Sequence, residues 1–251
     1  MESYAAAAQV YAAGLIFARI GALVMVVPGL GETSVPPRIR LAFAFLMTLM
    51  LAPVIAPSLP VPPTVSGVAG AVFKEVLIGL MIGTILRLFF TALATAGEVV
   101  SLQTTLSFAQ TAAPGQAAPQ TTLATFLSVL GVTLIMTTDL HHMFLAGMVR
   151  SYALFPFERP IPIADGATLA VRTAADSFRL GLQLAAPVVV FAIVFNVATG
   201  LVGRVMPQFQ VFWVASPLIV LLGLSIFALS LGVIGMVWVD AYRALASTFV
   251  G

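Results

Sequence analysis

Phe73-Lys74-Glu75-Val76-Leu77-Ile78-Gly79-Leu80-Met81-Ile82-Gly83 opens an apolar stretch that continues past Arg87 to Glu98. Its reading decides the fold. The residues suit a helix, but the uncharged run from Val76 to Leu86 is about half of what a lipid-spanning helix needs. Arg87 and Glu98 fall on nearly one face, yet about 16 Å of helix separates them, so they cannot pair with each other. A charge at the bilayer centre costs roughly 2.5–3.5 kcal/mol. Lys74, Glu75, Arg87 and Glu98 must therefore meet other parts of the protein, neighbouring subunits or water. The expectation is a helix built for an assembly, its four ionisable side chains sheltered at a subunit interface. Glu75, Gly79 and Gly83 share one face, and Gly79-xxx-Gly83 is the small-xxx-small spacing that lets helix backbones approach closely. Alone the spacing is unspecific; beside an ionisable residue it favours a helix–helix seam over a lipid-facing surface.

The rest of the 251-residue chain agrees. It is 61% hydrophobic and only 8% charged, against about 25% charged in soluble domains, and its mean hydropathy is +1.11. So much apolar surface cannot be hidden in water, and the expected class is an all-α integral membrane protein forming one membrane domain over 1–251. Six apolar stretches of bilayer length lie near 10–28, 39–56, 67–97, 123–149, 180–203 and 211–239. Pro187, Pro207 and Pro217 are placed to bend or break the last two, predicting kinked hairpins instead of straight spans. The start of the chain lacks a basic signal-peptide region, so the first stretch is expected to be a retained helix.

The net charge of +2 gives no nucleic-acid footprint. The absence of cysteine excludes disulfides and thiolate metal sites. Asp139, His141 and His142 are common ligand types, but adjacent helical histidines diverge by about 100°, and they are expected to be polar residues at a helix end, with no metal and no cofactor. No phosphate loop, nucleophile elbow or paired-carboxylate motif occurs, and no enzyme is expected. Counting Lys and Arg in the connections settles no orientation.

The connections differ in kind. The second holds Pro57, Pro60, Pro62 and Pro63; the fourth, Arg150 to Arg179, carries Glu158, Arg159, Asp165, Arg172 and Asp176 as well; the fifth is a turn around Arg204, Pro207 and Gln208. The third, Ser101 to Thr122, carries no charge at all and is rich in Gln, Thr, Ala, Gly and Pro. Composition leaves two readings open: a short loop buried against the bundle, or a mobile element at membrane depth lining a cavity.

These residues carry a resemblance. Phe73 to Gly83, Gly97-Glu98-Val99-Val100-Ser101-Leu102-Gln103 with Leu106-Ser107-Phe108-Ala109, the His142 region leading into Arg150-Ser151-Tyr152, and Gly200-Leu201-Val202-Gly203-Arg204-Val205-Met206-Pro207-Gln208 are similar, in this order, to the FliR/SctT family of type III secretion export-gate subunits. The family often has Asp where this chain has Ala113. Leu184-Ala185-Ala186-Pro187, the Arg204 turn and Pro217 resemble the small two-helix subunit FliQ. The resemblance implies a FliP-like portion over about 1–176 fused to a FliQ-like hairpin over about 177–251. It further implies a gate made with FliP and FliQ, with FlhB and FlhA alongside, in the bacterial inner membrane at the flagellar basal body, passing unfolded flagellar proteins.

For the uncharged loop the resemblance implies a channel plug formed by Leu106, Ser107, Phe108, Ala109, Gln110, Thr111, Pro114, Gly115 and Gln116. The Arg204–Pro207–Gln208 turn would face the cytoplasm. The equivalent subunit of a virulence injectisome shares these features. A secondary transporter would require internal inverted repeats, and none is evident. Away from its partners such a chain is expected to be poorly stable, because Glu75 and Arg87 would lack counter-charges.

Overall fold

The computed structural model describes residues 2–32, 35–55, 65–107, 120–157, 159–206, 208 and 210–250. Seven helices are bounded among them: α1 (Glu2–Val26), α2 (Pro37–Ile55), α3 (Val65–Gln103), α4 (Thr122–Thr137), α5 (Leu140–Leu154), α6 (Ile163–Val205) and α7 (Val211–Val250), with no strand among the described residues. The protein is an all-α integral membrane protein. Five helices contain segments long and apolar enough to cross a membrane, and the α4–α5 pair makes a sixth if it counts as one span.

The helices depart from the six apolar stretches in instructive places. The fourth stretch is broken at Thr138–Asp139, where Asp139 takes φ 59°; Asp tolerates this left-handed conformation better than most residues. α6 begins at Ile163, well before the apolar run, and carries Asp165, Arg172, Asp176 and Arg179 along its first half. Hydropathy underestimates a helix whose opening is rich in alanine and charge, although such residues form helices readily. Asp165 in its first turn also suits the positive end of the helix dipole. Pro187 and Pro217 do not break their helices: α6 and α7 run on through them. With 39, 43 and 40 residues, α3, α6 and α7 are each about twice as long as a 30 Å hydrocarbon core requires.

The chain forms two compact units. Residues 1–89, 139–174 and 243–251 make the first, and residues 90–138 and 175–242 the second. This spatial division is discontinuous in sequence and is distinct from the 1–176 and 177–251 portions. In the first unit Leu15, Ile16, Ile20 and Val24 of α1, Ile78 and Ile82 of α3, and Leu140 and Met148 of α5 are buried. α2, packed on α1, turns Phe45, Leu46, Leu49, Met50 and Val54 outward, a face tolerable only against lipid or another protein.

In the second unit Leu93, Leu127, Ile135 and Trp238 are fully buried. Phe90 meets Trp238 edge-on at 5.7 Å. Glycines admit close contacts there: a Cβ on Gly181 would lie 2.9 Å from the Ala92 carbonyl oxygen, and Gly131 leaves room for Phe90 and Leu93.

Candidate functional site

Arg19 is the only charged residue between Glu2 and Glu32, and it is 1% exposed. Its Nε donates to Glu75 Oε2 at 2.6 Å and its Nη2 to Oε1 at 2.9 Å, the forked geometry that suits guanidinium and carboxylate. Nη2 also donates to the Phe155 carbonyl at 3.1 Å, while Nη1 donates to the Ser151 carbonyl at 2.9 Å and its Oγ at 3.3 Å. The guanidinium carries five N–H groups, and these five bonds use them all. The Tyr152 ring lies against the guanidinium at 4.0 Å. One side chain of α1 thus ties α3 to the C-terminal end of α5.

Lys74 works beside it. Its Nζ donates to the carbonyls of Pro156 at 3.4 Å, Phe157 at 2.5 Å, and Arg159, and sits 5.4 Å from the centre of the Phe157 ring. Two cations therefore cover the carbonyl-rich end of α5 and the chain that follows, where the helix dipole is negative. Close approach of α1 and α3 makes this possible. A Cβ on Gly79 would collide with the Arg19 carbonyl oxygen; one on Gly83 would lie 3.1 Å from the Val26 Cβ and 3.2 Å from the Leu23 carbonyl oxygen.

The charges and glycines expected at a subunit interface find partners inside the chain. Glu75 finds its counter-charge, Lys74 its acceptors, and Gly79 and Gly83 their seam within this chain, so none of the four needs a neighbouring subunit. Arg19 is the residue that sequence reasoning misses. A lone charge in an apolar helix is the same signal that singles out α3, but its partner, 56 residues away, is set by packing alone. Because Glu75 is neutralised at home, instability of the isolated chain cannot be argued from it.

Glu98 is also met internally. Its Oε1 accepts the Thr121 N–H at 2.8 Å, Ser101 Oγ donates to Thr121 Oγ1 at 3.0 Å, and Thr121 caps α4 by accepting from the Ala124 N–H at 3.3 Å. Gly97 allows this, because a Cβ there would strike the Ala124 backbone. Arg87 differs: it is exposed, and among the described residues it has no ion-pair or hydrogen-bond partner.

Leu106 and Ser107 are half-buried, and Arg204 and Gln208 are exposed. Arg204 lies in the last turn of α6, where a cation is favoured. Phe108, Ala109, Gln110, Thr111, Pro114, Gly115, Gln116, Glu158 and Pro207 lie outside the described residues. Asp139 and His142 approach to 3.5 Å with both side chains mostly exposed, and potential ligand atoms of Asp139, His141 and His142 lie within 4.8 Å of one another. They stand at the start of α5, whose dipole opposes a cation, and the helix-end reading fits this place.

These features define a class: a helical membrane protein fastened inside by a buried bidentate ion pair, with an exposed arginine along α3. The family model described as bacterial export proteins, family 1, matches residues 10–245, and the chain belongs to that family. It is 60% identical to the flagellar biosynthetic protein FliR of Caulobacter vibrioides over 250 residues, 99% of this chain and 100% of the relative. To FliR of Escherichia coli it is 32% identical over 211 residues, covering 84% and 80% of the two chains, and to FliR of Bacillus subtilis 29% over 209 residues, covering 81% and 80%. The resemblance drawn from Phe73 to Gly83 and the later motifs is thereby established. The chain is a membrane component of the flagellar export apparatus, in a family of export proteins.

Proposed function

We propose that the chain is a core subunit of the flagellar type III export gate in the bacterial inner membrane, at the basal body. With FliP and FliQ homologues it forms the channel through which unfolded flagellar proteins leave the cytoplasm, with FlhB and FlhA as further partners. The observation that supports this most is the FliR likeness running through 99% of the chain. It also favours the flagellar system over a virulence injectisome.

In this reading residues 1–176 are the FliP-like portion, residues 177–251 the FliQ-like hairpin, and the Arg204–Gln208 turn faces the cytoplasm. The uncharged segment from Leu106 to Gln116 acts as the plug. Its composition suits a plug, because it offers passing polypeptide no fixed charge to bind, and Pro114-Gly115 disfavours regular structure.

Deleting Gln110 to Gln116 tests the reading in the assembled complex. The expected result is intact assembly with raised permeability to ions and small solutes. Unchanged permeability would remove the segment from the mechanism. Failure of the tagged wild-type chain to co-purify with FliP and FliQ homologues would remove the gate reading as a whole.

A further inference from the structure

Two non-glycine residues take positive φ among the described residues, Asp139 and Thr105. Asp tolerates the left-handed region. Thr105, at φ 60°, does not, because its branched Cβ crowds the backbone there. Helical chain stands on both sides of it. The amide of Thr104 still donates to the Val100 carbonyl at 3.0 Å, whereas that of Thr105 reaches back only to Leu102, at 3.3 Å. Leu106 and Ser107 are helical again. One residue in an unfavourable conformation thus separates α3 from the turn that follows, at a position where helices commonly end on glycine. Among the described residues the Thr105 hydroxyl has no hydrogen bond to offset the cost.

Strain of this kind persists only where the surroundings hold it. Thr104 is fully buried. Its hydroxyl donates to the Val100 carbonyl at 2.8 Å, and its methyl fills the notch left by Gly223 of α7, where a Cβ would lie 2.5 Å from it. The returning chain is held at Thr121 by Glu98 and Ser101. Between these anchors Thr105 borders a cavity of about 270 Å³, with Asn196 of α6 and Ser216 of α7 on its wall. Close-packed interiors leave few such spaces. Thr105 therefore has room to turn. The Asn196 amide and the Ser216 hydroxyl, unbonded among the described residues, offer partners to backbone groups that such a turn frees.

We infer that Thr105 is a hinge. Rotation of this one residue from the left-handed to the right-handed helical region joins α3 to Leu106 and Ser107 as one continuous helix. Strain in the broken form lowers the free energy that the change requires, and Thr104 and Thr121 serve as fixed ends in both forms. The hinge stands on Thr105 and its surroundings alone. Its consequence, re-aiming the uncharged segment beyond Ser107, rests on the plug reading above.

The chain contains no cysteine, so Ser107→Cys and Ser225→Cys place one spin label beyond the hinge and one on α7 without competing sites. Distances between the labels are measured by pulsed electron resonance in the assembled complex. Two separations are expected, the major one belonging to the broken form. Thr105→Gly removes the strain and should lower the minor population by about fivefold to thirtyfold. Thr105→Val keeps the branch and the strain without the hydroxyl, and should retain both populations. A single separation in the wild type, populations unmoved by Thr105→Gly, or a Val variant that behaves like Gly overturns the hinge. Thr105→Gly should also melt no lower than the wild type; a lower melting temperature would overturn the strain itself. If the populations respond while deletion of Gln110 to Gln116 leaves permeability unchanged, the plug reading fails and the hinge stands. If they do not respond, the hinge has failed whatever the deletion does.

Discussion

Arg19 of α1 and Glu75 of α3 are joined by two parallel hydrogen bonds of 2.6 and 2.9 Å, with exposures of 1% and 0%. Neither charge has access to water, and the remaining donors of Arg19 are spent on Ser151 and Phe155. The pair is therefore the point at which α1, α3 and α5 are fixed to one another. Removing one partner leaves the other buried and uncompensated, which is far costlier than never having had the pair.

Arg19→Met is accordingly expected to destabilise the purified chain in detergent by about 3–5 kcal/mol. Combining it with Glu75→Leu should recover most of that loss, because two apolar side chains replace two desolvated charges. Thermal or denaturant unfolding of the single and double variants gives both numbers. A single variant as stable as the wild type would mean that the carboxylate finds another partner.

Lys74 acts more locally. Lys74→Met strips donors from the carbonyls of Pro156, Phe157 and Arg159, at a cost of about 1–3 kcal/mol. Hydrogen exchange over 155–163 should quicken while α1 and the first half of α3 keep their protection. Uniform quickening throughout the first unit would make Lys74 part of the global clamp instead.

Gly79 and Gly14 offer a matched contrast. Gly79→Ala drives a methyl into the Arg19 backbone, whereas Gly14→Ala meets nothing within 4 Å. The first should cost about 1–3 kcal/mol through overpacking. The second should be neutral or gain up to about 1 kcal/mol from helix propensity. Equal effects in a melting comparison would contradict the close seam.

Glu98→Ala leaves the Thr121 N–H without its acceptor and is expected to cost about 1–3 kcal/mol. Glu98→Gln keeps a carbonyl oxygen for the same bond and should cost less, losing chiefly the attraction between a carboxylate and the start of α4. The test is exchange of amides at the N-terminal end of α4 in the two variants. If Gln and Ala behave alike, charge and not the hydrogen bond is what matters at this position.

The chain's own composition determined that it lives in a membrane and is helical, because 61% hydrophobic residues in stretches of bilayer length have no other stable arrangement. The spacing of Gly79 and Gly83 likewise announced a close helix seam, since a period of four puts both on one face whatever lies opposite. Charges in apolar helices marked Lys74, Glu75, Arg87 and Glu98 as residues that need company, and the same rule applied to α1 marks Arg19. Which company they keep could not be read from spacing. Arg19 and Glu75 meet across 56 residues, and Lys74 caps carbonyls more than 80 residues away, through packing that no local pattern encodes. Only the tertiary structure separated the three charges of α3 that the chain satisfies itself from Arg87, which it leaves facing outward. The physical reason is that burial costs are local to each residue, whereas the groups that offset them are chosen by the way distant helices come together.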